Sequence, residues 1–190
     1  MPRGFRERRC VQNSTATSSS ERFEQLVLPH LDAAYNLARW LTRKDHDAQD
    51  VVQEAYLRAF KAIDQFQGGD ARCWLLTIVR NTCFTWMGRN RPNVPTASLD
   101  ADLHDSGSDA GDPALMLDKK ADRETVRQAI EALPVEFREV LILRELEGLS
   151  YQEIARVADV PIGTVMSRLA RARKRLQQLL TPAAMEGGVT

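Results

Sequence analysis

From about Leu115 to Leu180 the apolar residues recur at helical spacing, and the pattern breaks three times: at Leu133-Pro134, at Gly148-Leu149-Ser150 and around Asp159 to Gly163. Such breaks divide the segment into separate helices. No stretch of the chain alternates long enough for a strand. The expected fold class is all-α, with two small helical modules.

The last two breaks frame a helix-turn-helix. Ser150-Tyr151-Gln152-Glu153 has the form of a capping box, with Ser150 as cap and Glu153 reaching back. Ile154 follows, then Ala155, whose small side chain lets a second helix cross closely. The turn falls at about Ala158 to Pro161, where Asp159 tolerates a left-handed backbone. The next helix opens at Pro161 to Thr164 and turns Val165, Leu169, Ala172 and Leu176 inward. Ser167, Ala170, Arg171 and Lys174 face outward, flanked by Arg168 and Arg175. Short polar and Arg side chains suit base edges, and basic residues suit phosphate.

The N-terminal part reads differently along its length. Residues 1–20 are polar, Ser/Thr-rich towards the end, and expected to be a disordered arm. Helical spacing begins at Glu21, with Pro29 expected to start or kink a helix. A second helix is expected from about Asp47 to Ile63 and a third from about Ala71 to Gly88, separated by a loop carrying Gly68 and Gly69. The first module spans 21–91 and the second 115–180. Residues 92–114, acidic and rich in Gly, Ser, Pro and Asp, form the expected flexible linker, and 181–190 a tail.

Net charge is zero, with 26 basic and 26 acidic residues, yet the charge is segregated. Ala71 to Leu99 holds four arginines and no acid, Pro95 to Asp118 six aspartates and no Lys or Arg, and Thr164 to Arg175 five basic residues and no acid. Such blocks point to partners.

On the second helix, Glu54, Arg58 and Lys61 fall within about 80° of Asp50. Val51, Val52, Ala55, Tyr56, Ala59, Phe60, Ala62 and Ile63 fill the opposite arc and are the expected core. Leu57 lies inside the polar stripe with Gln53 beside it. That is either a protein-contact face or a solvated face with one stray leucine. On the third helix Trp74, Leu75, Leu76, Ile78, Val79, Cys83 and Trp86 form the expected core side. The other side carries Thr77, Arg80, Asn81 and Phe84. Stacking aromatic, base-reading amide and phosphate-holding Arg together fit single-stranded nucleic acid; the alternative is that Phe84 packs on a neighbouring helix.

Several classes are excluded. The apolar runs fall far short of the roughly 20 residues of a membrane span, and no apolar segment follows the N-terminal arginines as in a secretory signal. The expected location is cytoplasmic. Cys10, Cys73 and Cys83 include no CxxC pair, so no metal site is expected. Cys73 and Cys83 would lie about 15 Å apart along one helix, too far for a disulfide. No catalytic triad, metal cluster or phosphate-cradling glycine loop is visible, and no cofactor is expected.

Taken together, Asp50-Val51-Val52-Gln53-Glu54-Ala55-Tyr56-Leu57-Arg58-Ala59-Phe60, then Trp74-Leu75 and Arg80-Asn81-Thr82, then the acidic linker, then Leu133-Pro134 to Leu176, resemble a bacterial sigma factor of the sigma-seventy family. The stretches Leu143 to Tyr151 and Gly163 to Leu169 are typical of its extracytoplasmic-function (ECF) group, which keeps only sigma regions 2 and 4. The resemblance covers about residues 21 to 180.

The resemblance implies an alternative sigma factor, not an enzyme, that directs core RNA polymerase to promoters. It implies that Asp50, Gln53, Glu54, Leu57 and Arg58 dock on the clamp coiled coil of the large polymerase subunit. Phe66 to Trp74 and Asn81 would grip a flipped base of the −10 element, with Phe66, Arg72, Thr77, Arg80, Asn81 and Phe84 the DNA-facing residues. Thr164, Ser167, Arg168, Arg171, Lys174 and Arg175 would meet the −35 element. Phe137 to Leu146 matches the surface that meets the polymerase flap, and the linker would thread toward the active centre. An anti-sigma factor that clamps both modules is the further partner implied. A stand-alone helix-turn-helix regulator is the competing reading; it accounts for 150–176 but not for the second helix or the linker.

Overall fold

The structure, a computed structural model, describes residues 18–90 and 113–181, with side chains from 122 onward in the second segment. The expected arm before Ser18, nearly all of the expected linker and the tail beyond Thr181 lie outside the described residues. Within them every regular element is a helix.

Four helices make the first module: α1 (Ser19–Leu26), α2 (Leu31–Thr42), α3 (Asp45–Ala62) and α4 (Ala71–Arg89). The first begins two residues earlier than the spacing suggested, because Ser18 and Glu21 close a capping box. Pro29 sits in a short 3-10 turn, Leu28–His30, that leads into α2. That second helix ends where Arg43 takes a left-handed backbone at φ 69°. Asp45 then accepts from Arg39 Nε at 2.6 Å and from the Tyr35 hydroxyl at 3.0 Å, fixing the α2–α3 corner.

The core of this module is built on small residues. Ala34, Leu37, Ala38 and Leu41 of α2 meet Val51, Ala55 and Ala59 of α3 and Leu75, Leu76, Val79 and Cys83 of α4, all buried. Alanines let the helices approach closely, and each buried large side chain contributes about 1.5–3 kcal/mol. Phe60 departs from expectation: it is 43% exposed. It lies at the margin of the apolar arc, where α1 covers one side only, with its ring edge-to-face on Phe23 at 5.3 Å.

The second module comprises α5 (Pro113–Glu131), α6 (Val135–Glu145), α7 (Tyr151–Ala158) and α8 (Ile162–Leu180). All three sequence breaks lie between these helices. Ser150 and Glu153 form the capping box, and Asp159 is left-handed at φ 53°. Val165, Leu169 and Ala172 are buried against α6 and α7.

The modules pack against each other, with α6 against α2 and α7 against α4. One apolar cluster runs through both. Consequently the middle of α6 is enclosed: Arg138, Glu139, Val140, Leu141, Ile142 and Leu143 are all buried. This interface was not foreseen from the sequence.

Candidate functional site

Three surfaces carry the candidate residues. On α3, the packing of Val51, Val52, Ala55 and Ala59 inward turns the opposite stripe to solvent. Asp50 and Gln53 are exposed, and Leu57 is 64% exposed. Glu54 and Arg58 are half-buried and paired along the helix. Arg58 also donates to Thr82 Oγ1 of α4 at 3.3 Å. The structure thus brings all five expected residues to one face, with a large apolar side chain at its middle.

The second surface belongs to α4. Asp70 caps it, accepting from the Cys73 backbone N–H at 3.1 Å. Arg72, Cys73 and Trp74 are therefore in its first turn. The Phe66 ring rests 5.0 Å from that of Trp74. Thr77 donates its hydroxyl to the Cys73 carbonyl at 2.8 Å. The Arg80 guanidinium lies over the Phe84 ring at 4.4 Å and donates to Asn81 Oδ1 at 3.1 Å. Phe84 itself lines a groove with Trp86, Met87, Val135 and Arg138, so it packs at a helix junction. Of the six residues expected at the −10 element, Asn81 is exposed and the other five are half-buried.

The third surface is α8. Ser167, Arg171, Lys174 and Arg175 are exposed, Thr164 and Arg168 half-buried. Ile162 and Met166, at 42% and 54% exposure, stand on the same outward side near the helix start. Against a base edge, such apolar groups suit a thymine methyl.

Acids of the second module reach into the first. Arg80 Nε donates to Glu139 Oε1 at 2.7 Å, and Arg168 lies 4.0 Å from Glu139 Oε2. Arg72 pairs with the buried Glu147. Arg39 lies 3.6 Å from Glu131, and Arg138 donates to the Leu41 carbonyl at 3.4 Å. Burial pushes the Glu139 carboxyl above the usual carboxylate range, outweighing the opposing pull of Arg80 and Arg168. Glu139, Glu147 and Arg138 were not singled out from the sequence. The available signal was the polar pair Arg138-Glu139 between Phe137 and Val140, inside an otherwise apolar run.

Asp70, Cys73 and Glu153 bring potential metal-ligand atoms within 4.8 Å of one another. Both carboxylates, however, serve as helix caps. Burial first, and then the neighbouring Asp70, push the Cys73 thiol up to about 12. It is not the exposed thiolate that redox chemistry uses. Among the described residues no helix is long and apolar enough to cross a membrane.

The two modules correspond to two halves of one known protein class. Residues 26–92 match the family model "Sigma-70 region 2", and residues 123–176 match "Sigma-70, region 4". The chain belongs to the sigma-70 family, in its ECF group. It is 38% identical over 143 residues to the ECF RNA polymerase sigma-E factor of Escherichia coli K12, a match covering 72% of this chain and 75% of that one. It is 33% identical over 164 residues to the ECF sigma factor SigE of Mycolicibacterium smegmatis, covering 86% and 63%. Among solved structures, it is similar to the sigma factor RpoE in complex with the anti-sigma factor NepR from Bartonella quintana. That match has a TM-score of 0.67 and 30% identity, covering 83% of this chain and 96% of that one. CnrH in complex with the cytosolic domain of CnrY matches with a TM-score of 0.57 and 26% identity, covering 85% and 94%. Members of this family are non-enzymatic subunits that give RNA polymerase its promoter specificity.

Proposed function

We propose that this chain binds core RNA polymerase through the Asp50, Gln53, Glu54, Leu57 and Arg58 face and directs it to promoters with separate −10 and −35 elements. In this reading Phe66, Arg72, Thr77, Arg80, Asn81 and Phe84 hold the opened −10 strand. The exposed side of α8, from Thr164 to Arg175, enters the −35 major groove. The acidic linker runs between the two toward the active centre. The site of action is the cytoplasm, where core polymerase resides.

The observation that carries the reading is the pairing, on one chain, of an exposed leucine in a polar stripe with a basic recognition helix. A stand-alone regulator has use for the helix but none for Leu57 at 64% exposure. Base flipping costs a few kcal/mol, and the half-buried state of the α4 residues supports a reader that acts only once polymerase has rearranged it. An anti-sigma factor is the regulatory partner proposed, because the similar sigma factor RpoE was captured with one.

The experiment is co-elution of the purified chain with core polymerase on a sizing column. Formation of a stoichiometric complex supports the reading. Failure to associate, together with tight binding of duplex DNA by the chain alone, favours the stand-alone regulator.

A further inference from the structure

Glu139 is fully buried, yet its two oxygens are unequally served. Oε1 accepts from Arg80 at 2.7 Å, whereas Oε2 has no hydrogen-bond partner among the described residues and lies 4.0 Å from Arg168. The two arginines come from different modules. Arg80 stands on the α4 surface assigned to the −10 strand and Arg168 on the α8 surface assigned to the −35 element. A carboxylate between two arginines is the arrangement a DNA phosphate would take.

We infer that Glu139 is an internal stand-in for promoter phosphate, latching the −10 and −35 surfaces together until polymerase and DNA displace it. The inference rests on the sigma-factor reading above. A second link works in the same direction: Arg72, also assigned to the −10 strand, is paired with the buried Glu147. While each arginine holds its acid, its charge is already compensated and its pull on phosphate is weakened. The closed arrangement also buries residues 138–143 of α6, the middle of the segment assigned to the polymerase flap.

The latch is built to release. A buried ion pair gains little net stability, because desolvation offsets most of its attraction. Glu139 Oε2 lacks even a hydrogen bond. In an open form Glu139 and Arg80 both regain water, so the ion pair itself opposes opening only weakly, and differential binding by partners can move the balance.

A charge swap tests this. X-ray scattering is measured on the full chain as wild type, Arg80→Glu, Glu139→Arg and the double variant. The expected result is a compact wild type, a larger radius of gyration for each single variant with helical circular dichroism unchanged, and recovery of compactness in the swap. A merely misfolded single variant would not be rescued. Glu147→Arg expands the chain independently. Glu139→Ala, which adds no positive side chain, binds a fluorescein-labelled 20-nucleotide single-stranded DNA about tenfold more tightly than wild type. That factor is expected if the open form rises from about a tenth of molecules to most of them.

An extended wild type overturns the latch, as does a swap that stays extended or a Glu139→Ala chain with unchanged DNA affinity. Core-dependent transcription is scored in parallel. A chain that transcribes with core but is extended when free overturns the latch alone; a compact chain inert with core overturns the sigma reading on which the latch rests.

Discussion

Arg58 donates to Thr82 Oγ1 at 3.3 Å, so a residue on the α3 outer face is also tied to α4. Thr82 is itself buried, and its hydroxyl donates a hydrogen bond to the Ile78 carbonyl at 2.8 Å. Its neighbour Leu57 has no such tie and is 64% exposed. Two adjacent residues of one candidate interface therefore differ in what they do for the free protein.

That difference predicts a separation by mutation. Leu57→Asp is expected to abolish core-polymerase binding while shifting unfolding stability by no more than about 0.5 kcal/mol, as for surface positions generally. Arg58→Ala is expected to weaken binding and also to lower stability by about 0.5–1.5 kcal/mol, through the lost hydrogen bond. Urea denaturation alongside a core-binding titration reads both. Unchanged core affinity in Leu57→Asp would remove α3 as the docking face.

Arg171 is exposed on α8 and is positioned on its outward side. Arg171→Ala should cost about 1–3 kcal/mol at one base pair of the −35 element. Binding measured on a set of single-base −35 variants checks this. Equal loss on every sequence would make Arg171 a phosphate contact instead.

Ser150 accepts from the Glu153 N–H at 3.3 Å, and Glu153 returns the bond to the Ser150 N–H at 2.7 Å. Ser150→Ala should therefore destabilise the second module by about 1 kcal/mol. The expected signature is a lower urea midpoint with an unchanged slope.

The raised Glu139 carboxyl gives closure a definite pH dependence. The closed form holds the Glu139 proton more tightly than a solvated carboxyl does, because burial penalises the charge more than Arg80 and Arg168 favour it and Glu136 adds repulsion. The added preference for closure is fully present below the ordinary carboxylate range and is lost as pH rises through the raised value. As pH falls through that raised value, the wild-type radius of gyration should fall. Glu139→Gln, which does not titrate, should lose this component of the response. An identical pH response in the two proteins would contradict the assignment.

Within each module the architecture could be read from local patterns. The Ser150–Glu153 box, the left-handed Asp159 and the buried Val165, Leu169 and Ala172 follow from short-range rules, and all are present. So does the outward turn of Leu57. Contacts between the modules were not legible. Arg80 and Glu139 are 59 residues apart, and Arg72 and Glu147 are 75. Helical periodicity tells which side of α4 is apolar, but not that an acid from another module will cover part of its polar side. Phe84 illustrates the same limit: its wheel position suits both a stacking platform and a packing residue, and the neighbouring Val135 and Arg138 come from a distant segment.

The measurement that bears most directly on the account is run-off transcription from sheared genomic DNA of the source bacterium. The purified chain is mixed with that bacterium's core polymerase, and transcript 5′ ends are mapped. The account predicts discrete starts that share −35 and −10 elements and vanish when the chain is omitted or carries Leu57→Asp. Transcripts that are identical with and without the chain would contradict it.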